Sequence, residues 1–376
     1  MSESPEITQT LQRPARTVVP VSGEHVGSPL VARPIGRRTL DDRASLVGSL
    51  LAALAITWLV YERMLAFGGY VGFAVCWWLT FIIVYTFVSA SSHPWVEVKD
   101  RLAGVIVASG ASIIALVLGC MVVFVFLKGW PALHHWNFYT QDMTGVSPLD
   151  PLSKGGISHA LVGSAIEVGI AVLVALPLGI GTAVYMSEVG GRAAKLVRTV
   201  VEAMTALPDI LAGLFVYTVL IVGLHWDRTG LSAALALVVT MVPIVARSAE
   251  VTLRVVPGGL REASWALGAS QWQTVWRVVL PTARSGLTTA LILGIARVSG
   301  ETAPLLIVSG SSTYFNANPL SQPMNSLPLF IYGNVRGVQD ENILARGYGA
   351  AAVLLTVVLI LFTLARFVAR PRSGSR

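Results

Sequence analysis

The chain has 376 residues, 54% of them hydrophobic and only 12% charged, with a mean hydropathy of +0.69. Soluble domains carry roughly twice that charged fraction, and the apolar residues here form runs as long as the ~20 residues that cross a bilayer. The formal charge of +7 therefore bears first on orientation in a membrane, and Cys76 and Cys120, each inside an apolar run, read as buried small hydrophobes rather than a disulfide framework or metal spacing.

Residues 1–43 are rich in Ser, Pro, Arg and Thr and lack an apolar stretch, so a disordered tail is expected there and not a signal peptide. Eight apolar runs follow, at 45–61, 69–90, 103–127, 158–185, 200–224, 229–247, 283–308 and 347–368. The expected class is an all-α integral membrane protein, a polytopic bundle of about eight transmembrane helices. The expected divisions are a hairpin over 44–101, a span with an exterior loop over 102–157, a helical core over 158–369, and a short tail over 370–376.

Charge sets the orientation. With the tail inside and all eight runs crossing, 20 of the 27 Lys and Arg residues fall inside. Only Arg63, Lys128, Lys154, Arg228, Arg336 and Arg346 fall outside, and Arg297 lies within a run. That asymmetry satisfies the positive-inside rule and puts both termini in the cytoplasm. Two irregular loops, 128–157 and 309–346, then face the exterior.

The longest interior loop, 248–282, breaks at Pro257-Gly258-Gly259, and a short helix is expected to restart near Leu260. Trp265, Ala269, Trp272 and Trp276 recur at helical spacing on one bulky face, with Gln271, Gln273 and Thr274 away from it. Periodicity alone fits a helix lying among lipid headgroups. Gly268, costing about 1 kcal/mol inside a helix, makes sense where the chain turns or another backbone comes close.

The seventh run holds Arg297 and Glu301, four residues apart and thus able to pair on one helical face. A charge at a helix centre costs about 2.5–3.5 kcal/mol by insertion scales. A bridge between helices accounts for the pair; so does a lining charge on an anion pathway, where a guanidinium grips oxyanions in a planar fork and a carboxylate weakens the grip enough for release. Asp209 after Pro208 reads as the cap of a restarted half-helix or as part of a gate. Glu167 reads as a helix-pairing or pathway residue, and His134, His135 and His159 as interfacial. Pro177, Pro208, Pro243 and Pro304 are candidate kinks. No catalytic constellation or G-x-x-x-x-G-K-[ST] phosphate loop occurs.

Glu262-Ala263-Ser264, then Gly268, then Val278, Leu280 and Pro281 resemble the EAA loop of ABC importer permeases, with Ser264 in place of an Ala and Val278 in place of an Ile. Gly300-Glu301-Thr302-Ala303-Pro304-Leu305-Leu306 resembles the GETAPLL segment of phosphate-importer permeases of the PstA type, as does the stretch from Asn325 to Tyr332. The resemblance covers at least 158–368 and implies a six-helix, MetI-like permease core. It implies that Glu262, Ala263, Ser264, Gly268, Leu280 and Pro281 couple to a separate ATPase, and that Arg297 and Glu301 line the substrate pathway. It further implies a second related permease chain as heterodimer partner, two ATPase copies that use ATP and Mg, and an extracytoplasmic phosphate-binding protein. No cofactor is expected in this chain, nor nucleic acid as a partner. Competing readings are a permease for another oxyanion, a self-contained secondary transporter, and a membrane scaffold subunit.

Overall fold

The computed structural model describes residues 40–64, 69–337 and 340–369. Most of the expected N-terminal tail, 1–39, and the closing tail, 370–376, lie outside these residues. Residues 40–43, expected in the tail, instead open the first helix. Two compact units divide between 113 and 114.

The first unit holds α1 (Leu40–Trp58), prolonged by a wide π turn to Met64, then α2 (Tyr70–Ser92) and the start of α3 (Trp95–Leu133). Its core is Ala53, Phe81, Tyr85 and Val105, and the Trp77 indole N–H donates to the Leu50 carbonyl at 3.2 Å. Arg101 closes one end by pairing with Asp42 at 2.6 Å and Glu97 at 3.0 Å.

The second unit begins with the rest of α3, whose Leu116, Leu118 and Met121 point outward as a bilayer demands. Cys120 shares that exposure and Cys76, on α2, is half-buried, so neither is the buried thiol expected; their two runs are apolar because lipid is their solvent. Then come α4 (Asn137–Thr140), α5 (Ser158–Val184) with a π turn to Val189, α6 (Gly191–Ala206) and α7 (Asp209–Val216) with a π turn to Gly223. After these lie α8 (Gly230–Arg254), α9 (Gly258–Ala266), α10 (Gln271–Thr274), α11 (Leu280–Val298), α12 (Ala303–Val308), α13 (Leu327–Val335) and α14 (Glu341–Ala369). Among the described residues seven helices are long and apolar enough to cross a membrane, or eight if a bent pair forms one span.

That pair is the fifth expected run, broken at the candidate kink Pro208. Residues 200–224 are not one rod, because α6 and α7 meet at 104° across Leu207-Pro208. Proline has no N–H to continue α6 and pushes the residue before it out of the helical region, and Leu207 is extended. The seventh run, 283–308, also splits: α11 ends at Val298, and α12 restarts with Pro304 in its first turn, where a missing N–H costs nothing. Pro177 and Pro243, by contrast, sit inside the unbroken α5 and α8.

The buried centre is α8, packed most extensively on α5. Ala171, Ala175, Gly179 and Ala183 form the buried face of α5. A Cβ at Gly179 would stand 2.7 Å from Val245, so the absence of a side chain lets α8 come this close. Small residues at the contact suit a bilayer, where dispersion between closely approached backbones drives helix association.

The two loops expected outside pack on each other. The Asp142 carboxylate accepts from the backbone N–H groups of Phe315 at 2.8 Å and Thr144 at 3.1 Å. Burial opposes ionisation of Asp142, but these donors outweigh it and hold its carboxyl below the usual value. Arg346, counted as an exterior cation, is instead 1% exposed and donates to the carbonyls of Pro148, Asp150, Pro151 and Lys154 at 2.6 to 3.0 Å. Arg346→Met orphans these carbonyls and is expected to cost on the order of 3 kcal/mol. A lowered Tm in detergent, with faster proteolysis at 147–154, is the expected result; an unchanged Tm contradicts the clamp.

Candidate functional site

Two regions carry the residues singled out from sequence. The first is the turn over 248–282, most of which is helical. α8 persists to Arg254, and Pro257, extended, precedes α9, which starts at Gly258, close to the restart expected near Leu260. Glu262 and Ala263 are exposed on α9, and Ser264 is half-buried, its hydroxyl 2.9 Å from that of Thr274. α9 is closed off just past its end by Gly268, with φ +81°, where Gly268 N–H donates to Trp265 O at 2.9 Å and Ala269 N–H to Ser264 O at 3.1 Å. That is a Schellman ending, whose left-handed residue is best supplied by glycine. Gly268 thus turns the chain, with open space where a Cβ would stand, and is not inside a helix.

Ser270 and Gln273 then form a reciprocal capping box that starts α10. A π turn, Val275–Val279, joins it to α11, near whose base lie half-buried Leu280 and exposed Pro281. The expected single apolar face is therefore divided: Trp265 lies on α9, Trp272 on α10 and Trp276 in the π turn, all three exposed. Gln271 donates to the Glu188 carbonyl. Arg261 fixes α9 from behind, forking onto Glu188 at 2.8 and 3.0 Å and donating to the Val256 and Leu253 carbonyls.

The second region is a cleft of about 490 Å³ where α6 and α7 meet α8 and α11, lined among others by Asp209, Thr240, Pro243, Leu293 and Arg297. Arg297 stands at the C-terminal end of α11, 51% exposed, and donates to Asp209 at 2.8 Å. Glu301 approaches it at 3.6 Å but lies in the break beyond α11, not on the same helix as the sequence spacing implied. Asp209 does not cap α7: Pro208 occupies that position and no side-chain cap forms. The break before α7 instead frees Asp209 to reach across the cleft.

Further charges group around α8. Glu250, 1% exposed on α8, pairs with Arg198 of α6 at 2.7 Å, Arg254 at 2.7 Å and Arg247 at 3.1 Å. The helical spacing of Arg247, Glu250 and Arg254 was legible; the 52-residue reach to Arg198 was not. Glu167 is fully buried on α5 and accepts from the Ser309 hydroxyl at 3.3 Å, which places it at a helix contact and not on the cleft lining. His159, expected at the interface, is 2% exposed and stacks edge-on to Phe330, because the exterior loops fold over it. His134 is exposed.

The family described as "Binding-protein-dependent transport system inner membrane component" matches residues 175–371. The phosphate transport system permease protein PstA 1 of Mycobacterium tuberculosis (strain CDC 1551 / Oshkosh) is 40% identical over 252 residues, 66% of this chain and 82% of that protein. PstA of Mycobacterium leprae is 37% identical over 74% of this chain and 93% of that protein, and PstA of Haemophilus influenzae 35% over 68% and 90%. An inward-facing structure of the MetNI methionine ABC transporter aligns at a TM-score of 0.42 and 23% identity, covering 57% of this chain and 91% of its own. The all-helical fold with its long apolar spans and the family match over the second unit make this chain a multi-pass inner-membrane protein, and it belongs to the binding-protein-dependent transport permeases, the transport subunits of ABC importers.

Proposed function

We propose that the chain is the permease subunit of an ATP-driven importer of inorganic phosphate. The observation that carries this is the 37–40% identity to proteins named as phosphate transport permeases, over as much as 93% of their length. In this reading an oxyanion passes Arg297, whose planar guanidinium binds phosphate oxygens and stays charged at all working pH values. Asp209 and Glu301 compete for the same guanidinium and keep the anion from being trapped.

Coupling runs through α9 and the Gly268 turn. Glu262 and Ala263 with exposed Trp265, Leu267 and Trp272 offer the face that a separate ATPase grips. Two such ATPase copies would burn Mg-ATP, a second, related permease would supply the facing half of the pathway, and an extracytoplasmic phosphate-binding protein would deliver the substrate to the loops joined by Asp142 and Arg346. The hairpin over 44–101 is an addition to the core over 158–369, and both termini are cytoplasmic.

Deleting the gene from its host is expected to abolish high-affinity phosphate uptake at low external phosphate, and restoring it to return that uptake, with sulfate uptake unaffected throughout. Unchanged phosphate uptake after deletion sinks the reading. Orientation has its own check: in intact cells an impermeant thiol reagent should label Ser321→Cys and not Ser270→Cys. Labelling of the latter from outside reverses the topology.

A further inference from the structure

Arg297 is outnumbered. Asp209 lies 2.8 Å from it and Glu301 3.6 Å, and the two carboxyls are near enough to act on each other. An anion entering the cleft therefore meets a guanidinium already paired with one carboxyl on the lining and backed by a second, a poor reception for a dianion on charge alone. Position separates the two acids. Asp209 is on the cleft lining, its side chain 31% exposed, while Glu301 is 14% exposed, off the lining, and backs the arginine. A ligand on Arg297 thus comes up against Asp209 oxygens.

An oxyanion that has lost all its protons presents only acceptor lone pairs, and these oppose the lone pairs of Asp209. One that keeps a hydroxyl can turn it to Asp209 while its other oxygens take the Arg297 fork. At neutral pH phosphate and arsenate keep a proton and sulfate does not. We infer that Asp209 is a specificity-determining residue of the pathway: paired with Arg297, it passes oxyanions bearing a hydroxyl and rejects fully deprotonated ones. The inference rests on the reading that the substrate passes Arg297. It places a filter inside the permease, separate from whatever selects the substrate outside.

The remaining polar lining does not supply this discrimination. Thr240 already donates to the Leu237 carbonyl at 2.9 Å, and Thr205 to the Val201 carbonyl at 2.8 Å. Each hydroxyl still offers acceptor lone pairs, but a neutral oxygen repels sulfate far less than a carboxylate does. A site built to receive a ligand's hydroxyl rejects the analogue lacking it, by factors that grow with burial. For this half-open cleft about tenfold is expected.

The test uses the assembled transporter with Cys76→Ala, Cys120→Ala and Leu293→Cys, position 293 being on the cleft lining and 54% exposed. The rate at which a thiol reagent modifies position 293 is followed against inorganic phosphate, arsenate and sulfate. Phosphate and arsenate should protect at concentrations about tenfold lower than sulfate. Asp209→Asn, whose amide donates to sulfate oxygens, should collapse or invert that ratio, and Asp209→Ser should narrow it. Equal protection by phosphate and sulfate in the parent, or a ratio untouched by both substitutions, overturns the inference while leaving Arg297 on the route. If no oxyanion protects position 293 in the parent, the route past Arg297 fails, and the filter with it.

Discussion

Gly268→Val is expected to reduce phosphate uptake to less than a tenth of normal while the protein still inserts and accumulates. The reason is local. Gly268 holds φ +81° with no heavy atom within 4 Å of where a Cβ would stand, so space is available but the backbone conformation is not. A left-handed conformation costs an L-residue roughly 1–2 kcal/mol, and a β-branched one more. Relief comes only by unwinding the Schellman ending, which moves Glu262, Ala263 and Trp265 relative to α10. Gly268→Asn separates this account from crowding, since Asn visits the left-handed region readily. Gly268→Asn is expected to keep much of the uptake and of the ATPase association measured by co-purification. Equal failure of both variants would point instead to a surface that tolerates no side chain at all.

The second large effect is at Arg297. Arg297→Gln removes the one guanidinium that lines the cleft among the described residues and is expected to lower uptake on the order of a hundredfold, the scale on which a preorganised donor to an oxyanion is lost. Arg297→Lys keeps the charge but not the fork and should fall between. The alternative, that Arg297 only bridges α7 to the break after α11, makes a different prediction. A structural bridge is repaired when all its charges go together, because no uncompensated charge is left. With Asp209 the nearer partner, replacing Arg297 and Glu301 alone does not complete that repair. The informative combination is Arg297→Gln with Asp209→Asn and Glu301→Gln. Recovered uptake in this triple variant supports the bridge; continued loss with an intact complex supports the pathway.

The turn over 248–282 shows how much a sequence carries and where it stops. Its signal is local, since Pro257, Gly268 and the Ser270–Gln273 box act over three or four residues, so a break, a short helix and a turn were all readable. What periodicity missed was that Gly268 ends the helix, so three tryptophans that share one stripe on a wheel belong to three segments. The cleft was half legible. Two charges in an apolar run marked Arg297 and Glu301, yet the closer contact of Arg297 is 88 residues away, made possible by the bend at Pro208. Apolar content is continuous through 200–224, so hydropathy is silent on that bend; Pro208 marked the break but neither its 104° angle nor the partner it brings to Arg297. Arg346 and Glu250 escaped for the same reason: each looks like an ordinary charge near a helix end until distant carbonyls or an arginine of another helix close around it.

The account is tested most directly by labelled phosphate uptake into proteoliposomes holding this chain with the proposed second permease and ATPase, the proposed binding protein on one side and Mg-ATP on the other. Uptake is expected only when all components and ATP are present, and is expected to stop with Arg297→Gln while the complex remains assembled. Uptake by this chain alone, driven by a proton or sodium gradient without the ATPase, would contradict it.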